Sequence, residues 1–127
     1  LGIICMQIII VDDEQDIKLL FEQQFRREIK NNQIELHFAF SAEEALQYLQ
    51  RQLNSCISLI LADINMPGMS GLEMLKIIKT ISPNLKVFMI TAYNDENHYT
   101  TAKEYGADDY ITKPIAFNTL KTKILNL

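Results

Sequence analysis

Apolar residues follow two rhythms along this chain, and the rhythms alternate. Ile8, Ile9, Ile10 and Val11 form an unbroken run, the pattern of a strand buried on both faces. Ile17, Leu20, Phe21, Phe25 and Ile29 then recur at three- and four-residue spacing, one face of a helix that Asn31-Asn32 ends. Ile34, Leu36, Phe38 and Phe40 alternate with Glu35, His37 and Ala39, which predicts a more exposed edge strand. Ser41 and Glu44 make a capping box ahead of a stripe of Ala42, Ala45, Leu46, Leu49 and Leu53. Ile57 to Ala62 reads as the third strand. The run from Asn65 to Gly71 is a turn-rich loop that opens a helix through Leu72, Leu75 and Ile78. Ser82-Pro83-Asn84 closes that helix, and Leu85 to Ile90 reads as the fourth strand. Asn94 or Asp95 caps a polar fourth helix that reaches Tyr105, with Gly106 as its stop. A short strand from Asp109 to Thr112 and a fifth helix from Ile115 to Leu127 complete the pattern.

Alternating strands and helices imply a parallel sheet covered on both faces, with right-handed crossovers. Ligands of such sheets bind beyond the carboxyl ends of the strands. Asp12 and Asp13 follow the first strand, Asp63 the third, Thr91 the fourth and Lys113 the fifth. Three acids, a hydroxyl and an ammonium therefore gather at one edge. Like charges about 4 Å apart repel by roughly 4 kcal/mol at an effective dielectric near 20, so such a cluster calls for a cation.

Composition narrows the setting. A chain of 127 residues suits one domain. The net charge of −4 gives no electrostatic grip on nucleic acid. No apolar stretch reaches the roughly 18 residues that span a bilayer. Cys5 and Cys56 make no disulfide framework and read as free thiols of a reducing cytoplasm.

Carboxylates at this spacing suit a hard cation. Mg²⁺ is held by one or two carboxylates, with water and phosphate oxygens filling its octahedron. Asp13 and Asp63 can supply the carboxylates, with Asp12 acting directly or through water. The plainer explanation of Asp12-Asp13 is a helix cap; Asp63 at an adjacent strand end favours the metal. A carboxylate can also attack phosphorus, and a metal, backbone N–H groups or a lysine then relieve charge on the phosphoryl oxygens. Lys113 has the reach, although an isolated loop lysine is usually a solvated one. Pro114 restricts Lys113 to extended conformations and is a candidate cis site. Thr91 is either a core-edge threonine or a donor to a phosphoryl oxygen.

Four segments carry a resemblance: Ile9-Ile10-Val11-Asp12-Asp13-Glu14, the stretch Ala62 to Gly71 containing Asp63 and Met66-Pro67-Gly68, Ile90-Thr91-Ala92, and Gly106 to Pro114. Together and in this order they resemble the receiver domain of two-component response regulators. The resemblance implies a flavodoxin-like, doubly wound five-stranded parallel sheet in the order 2-1-3-4-5 with helices on both faces. It implies Asp63 as phosphoacceptor, Mg²⁺ held by Asp12, Asp13, Asp63 and the backbone carbonyl of Asn65, and Thr91 and Lys113 on the phosphoryl group. It makes Tyr110 the switch aromatic that turns inward as Thr91 moves. Asn65 and Tyr93 would tune loss of the phosphoryl group. The implied partners are a sensor histidine kinase or phosphotransfer protein, and a second copy through the face of the fourth helix, fifth strand and fifth helix. The expectation is one cytoplasmic receiver domain over residues 1–127 with no effector domain, a signalling module that catalyses only its own phosphorylation and dephosphorylation. Ser70, Ala62 and Ile115 depart from the commonest pattern of the family.

Two alternatives stay open on the residues. A Mg²⁺-dependent phosphatase of the haloacid dehalogenase class also uses an aspartyl nucleophile, but places a second Asp two residues on, where this chain has Asn65. A pseudo-receiver would bind partners without taking phosphate, and the complete set of site residues speaks against it. His37 and His98 read as surface histidines rather than phosphate acceptors.

Overall fold

A computed structural model describes residues 5–51, 57–92 and 96–127. The strands are β1 (Met6–Val11), β2 (Ile34–Ala39), β3 (Ile57–Asp63), β4 (Lys86–Thr91) and β5 (Asp109–Thr112). The helices are α1 (Asp16–Gln24), α2 (Arg26–Lys30), α3 (Ala42–Arg51), α4 (Gly71–Ile81), α5 (Glu96–Glu104) and α6 (Phe117–Leu125). All neighbouring strands pair in parallel, in the order β2-β1-β3-β4-β5. The expected sheet is the observed one, and β2 is an edge strand as its alternation predicts. The expectations placed on Leu53, Cys56, Tyr93, Asn94 and Asp95 lie outside the described residues.

The apolar runs divide between two faces because successive strand side chains point oppositely. Ile8, Ile10, Leu59, Leu61, Phe88 and Ile90 pack with α1 and α6. Ile9, Val11, Ile60, Ala62, Val87 and Met89 pack with α3, α4 and Ala102 of α5. On the first face Phe21 and Phe25 stack at 5.8 Å, and the Phe117 ring meets them edge-on at 5.2 and 6.2 Å. Full burial of such a ring is worth roughly 1.5–3 kcal/mol.

The single helix expected through Ile17 and Ile29 is divided at Phe25, whose φ of −103° and ψ of 15° leave the helical region. Backbone bonds still run from Phe25 N–H to Phe21 and from Ile29 N–H to Phe25, so the axis carries on. The fourth and fifth helices of the sequence are consequently α5 and α6. The Ser41 cap forms, its hydroxyl accepting from Glu44 N–H at 3.0 Å, but Glu44 Oε2 reaches one residue further back than in a capping box and accepts from Phe40 N–H at 3.2 Å.

The amino end of β4 is held by a pair that the sequence pattern does not announce. Asp108 Oδ2 accepts from Lys79 Nζ at 2.7 Å and from Val87 N–H at 2.9 Å. Lys79 Nζ also donates to the Leu85 carbonyl at 2.8 Å. At the opposite end, the loop after β3 closes on itself, with Gly71 N–H donating to Ile64 O at 3.0 Å. A Cβ at Gly71 would lie 2.2 Å from the carbonyl oxygen of Asp63. Only glycine lets the start of α4 come this near the strand that ends in Asp63. Gly71→Ala is expected to lose about 1–3 kcal/mol of stability through that overlap, read as a lower urea midpoint. An unchanged midpoint would show that α4 can shift away freely.

Candidate functional site

The parallel register of β1 and β3, Val11 opposite Ala62, brings Asp12 and Asp63 out of adjacent strands at the same level. Oxygens of Asp12, Asp13 and Asp63 all lie within 4.8 Å of one another. Asp12 and Asp63 are buried, 6% and 4% exposed, while Asp13 faces solvent. Neither acid of the doublet caps the next helix: α1 follows Gln15, which gives no side-chain cap. Asp12 Oδ1 instead accepts from Glu14 N–H at 2.9 Å, and Asp63 Oδ1 from Asn65 N–H at 3.2 Å. Each buried acid thus has one oxygen tied to local backbone and the other directed to Lys113.

Lys113 closes the cluster. Its Nζ donates to Asp63 Oδ2 at 3.3 Å and lies 3.7 Å from Asp12 Oδ2. Its backbone N–H donates to Thr91 O at 2.8 Å, which fixes the start of the side chain beside β4. The Lys113–Pro114 peptide is cis. Burial raises the Asp12 carboxyl above its ordinary value, against the Glu14 N–H, and the Asp63 charge raises it further. Burial pulls the Lys113 ammonium down, but the Asp63 and Asp12 carboxylates outweigh it and the net shift is upward. Lys113 therefore stays charged, and its positive charge is shared between two acids.

Thr91 is fully buried at the end of β4, and its hydroxyl makes no hydrogen bond among the described residues. A buried polar group in that condition needs an explanation, and a ligand oxygen is one. Asp63 pairs with Ile90 in register and Thr91 with Thr112, so the hydroxyl shares the edge with the carboxylates. Tyr110 on β5 is half-buried, and its ring meets that of Tyr99 on α5 edge-on at 4.9 Å. Asn65 is exposed on the loop after Asp63. The structure thus brings Asp12, Asp13, Asp63 and Lys113 together, with Asn65 tied to Asp63 through its N–H and Thr91 buried at the end of the neighbouring strand.

The donor set fits Mg²⁺. It offers only hard oxygens, two of them on buried carboxylates whose repulsion a divalent cation would relieve. Sequence reasoning passed over two contributors. Gly71 lay inside a quoted segment, but its constraint is a close approach, which no local pattern displays. Tyr99 stood on a polar helix without an apolar stripe, so nothing marked it. His37, taken as a surface residue, is half-buried with its ring 5.3 Å from Tyr48 and its Nε2 3.3 Å from Glu35.

The sequence model of the response regulator receiver domain matches residues 8–125. Sporulation initiation phosphotransferase F of Bacillus subtilis is 31% identical over 118 residues, which make up 93% of this chain and 90% of that protein. Several other curated relatives are longer, and the chain spans 16% to 50% of their length. A receiver domain protein from Clostridium thermocellum superimposes with a TM-score of 0.84 at 29% identity, covering 95% of this chain and 92% of that one. The response regulator TrrA of Thermotoga maritima, solved in complex with Mg²⁺ and BeF, superimposes with a TM-score of 0.79 at 30% identity, covering 95% of this chain and 97% of that one. Fold, family match and acidic pocket agree: the chain belongs to the response regulator receiver domain family, the signalling module of two-component systems that works with histidine kinases or phosphotransfer proteins.

Proposed function

We propose that this chain accepts a phosphoryl group on Asp63 from a sensor histidine kinase or phosphotransfer protein in a Mg²⁺-dependent reaction. The observation that carries the reading is the placement of Asp63, buried at the end of β3 with Oδ2 3.3 Å from Lys113 Nζ. A carboxylate oxygen of Asp63 attacks the phosphorus of a phosphohistidine. The O–P bond forms as the P–N bond breaks, and the electron pair leaves with the imidazole. Lys113, held beside the acid, then faces the new phosphoryl oxygens and neutralises part of their charge. The buried Thr91 hydroxyl donates to another of them. Asp12, Asp13, Asp63 and the carbonyl of Asn65 would hold Mg²⁺, which when bound supplies further charge relief.

Phosphorylation adds about 1.5 to 2 negative charges at this edge. Thr91 moving toward them frees space for Tyr110, and the change reaches the face formed by α5, β5 and α6. That face is the output surface in this reading and the contact for a possible homodimer. Asn65 and Tyr93, two residues beyond Asp63 and Thr91 along the chain, tune loss of the phosphoryl group in this reading. The domain acts in the cytoplasm, catalyses only its own phosphorylation and dephosphorylation, and binds neither membrane nor nucleic acid itself. Among the described residues, no helix is long and apolar enough to cross a membrane.

Incubation with Mg²⁺ and a small acyl phosphate should add one phosphoryl mass to the intact protein. Asp63→Asn should abolish that adduct, and so should chelation of the metal. An undiminished adduct in the variant would overturn the assignment, and release of many equivalents of phosphate would favour a phosphatase instead. On modification, backbone NMR signals from Glu96 to Ile124 should shift; a response confined to the strand ends would remove the output face. The repulsion between Asp12 and Asp63 also predicts a gain from neutralising one of them. Without metal at pH 7, Asp12→Asn should raise Tm by roughly 2–5 °C, the shift that about 1 kcal/mol gives a domain of this size. Added Mg²⁺ should stabilise the wild type more than the variant, and an equal gain in both would dissociate Asp12 from the metal.

A further inference from the structure

The one aromatic contact between α5 and β5 among the described residues joins Tyr99 to Tyr110, edge-on, with ring centroids 4.9 Å apart and an interplanar angle of 81°. The α5 helix is otherwise lightly held, since Ala102 is its sole buried residue. The Tyr99 ring, 48% exposed, is the largest apolar body that α5 lays on β5. Below the pair lies a cleft of about 300 Å³ lined by Tyr99, Ala102, Lys103, Ala107, Asp109 and Tyr110. The Tyr110 ring therefore sits with Tyr99 on one side and open space on another, in a packing that permits more than one position.

Resting on the reading of Tyr110 as the switch aromatic, we propose that Tyr99 sets the resting position of Tyr110 and passes its movement to α5. Staggered side-chain rotamers are about 120° apart. A jump between them carries a tyrosine ring well beyond the slack of a 4.9 Å edge contact. The contact accordingly belongs to one position of Tyr110 and opposes the other. A ligand that favours the second position must break the pair, and the free energy of the pair subtracts from its apparent affinity. The exchange works in both directions, because α5 loses its aromatic anchor at the moment Tyr110 turns. Tyr99 is thus a positioning residue, acting on the phosphorylation site only through Tyr110.

The experiment uses the whole chain with ¹³C-labelled tyrosine rings, the Tyr110 signal being identified by its loss in Tyr110→Phe. Beryllofluoride with Mg²⁺ is the probe for the phosphorylated form. Tyr99→Ala should shift the Tyr110 ring signal before any probe is added. It should also tighten beryllofluoride binding by roughly 2- to 10-fold, the factor set by an edge-on aromatic pair. Tyr99→Phe keeps the ring contact and should leave both readouts near wild type. Tyr99 serving only to pack the helix would instead give weaker binding, or none of these changes, in Tyr99→Ala, and either outcome overturns the proposal. Wild-type protein that fails to bind beryllofluoride would overturn the phosphoacceptor reading itself. Normal wild-type binding with an unaltered Tyr99→Ala would remove Tyr99 alone.

Discussion

Everything at this site depends on one ammonium that reaches two buried carboxylates. The parallel sheet delivers all strand ends to the same edge, and the order β2-β1-β3-β4-β5 makes the strands bearing Asp12 and Asp63 neighbours. The lysine comes from β5, two strands away from β3. At nearly 5 Å per strand spacing, the gap is about 10 Å. A long, flexible stem crosses it, and the Lys113 N–H bond to Thr91 O fixes where the stem starts. A shorter cation would leave two like charges buried together without an answer. The long reach also lets one ammonium serve both acids, because a flexible stem can follow negative charge from one carboxylate to the other.

Much of this was legible before any coordinates, for a physical reason. A strand buried on both faces must be apolar throughout, so Ile8 to Val11 and Ile57 to Ala62 declare themselves. A charge that ends such a run is then conspicuous, and Asp12, Asp13 and Asp63 are found by exception. Lys113 needed the resemblance, since one lysine before a proline has little meaning alone. What escaped was non-local. Lys79 and Asp108 are 29 residues apart and meet only when α4 and the start of β5 are in place. Gly71 matters through a distance to Asp63, and the division of the first helix is a backbone departure at Phe25 inside an unbroken apolar stripe. Pattern reports what a segment needs from solvent or core, and not which partner supplies it.

The two ends of β4 also differ in kind. Its amino end is tied by an ion pair that doubles as backbone capping, Asp108 Oδ2 serving both Lys79 and Val87 N–H. Its carboxyl end finishes in a threonine whose hydroxyl finds no partner among the described residues. The backbone at that end is paired, with Thr91 O accepting from Lys113 N–H, so only the side chain is left to respond to a new neighbour.

The light anchoring of α5 has a consequence beyond signalling within one molecule. With one fully buried residue, Ala102, α5 keeps most of its side chains at or near the surface, and these place few demands on the core. Substitutions on its outer face therefore cost the fold little, whereas those in β1, β3 or α4 are penalised at once. In the proposed reading this same helix belongs to the output face, so its outer side can vary at little cost to the fold. The acidic cluster is held instead by burial and by the Lys113 charge, so what happens on the surface of α5 and what happens at the strand ends are separable demands on the sequence.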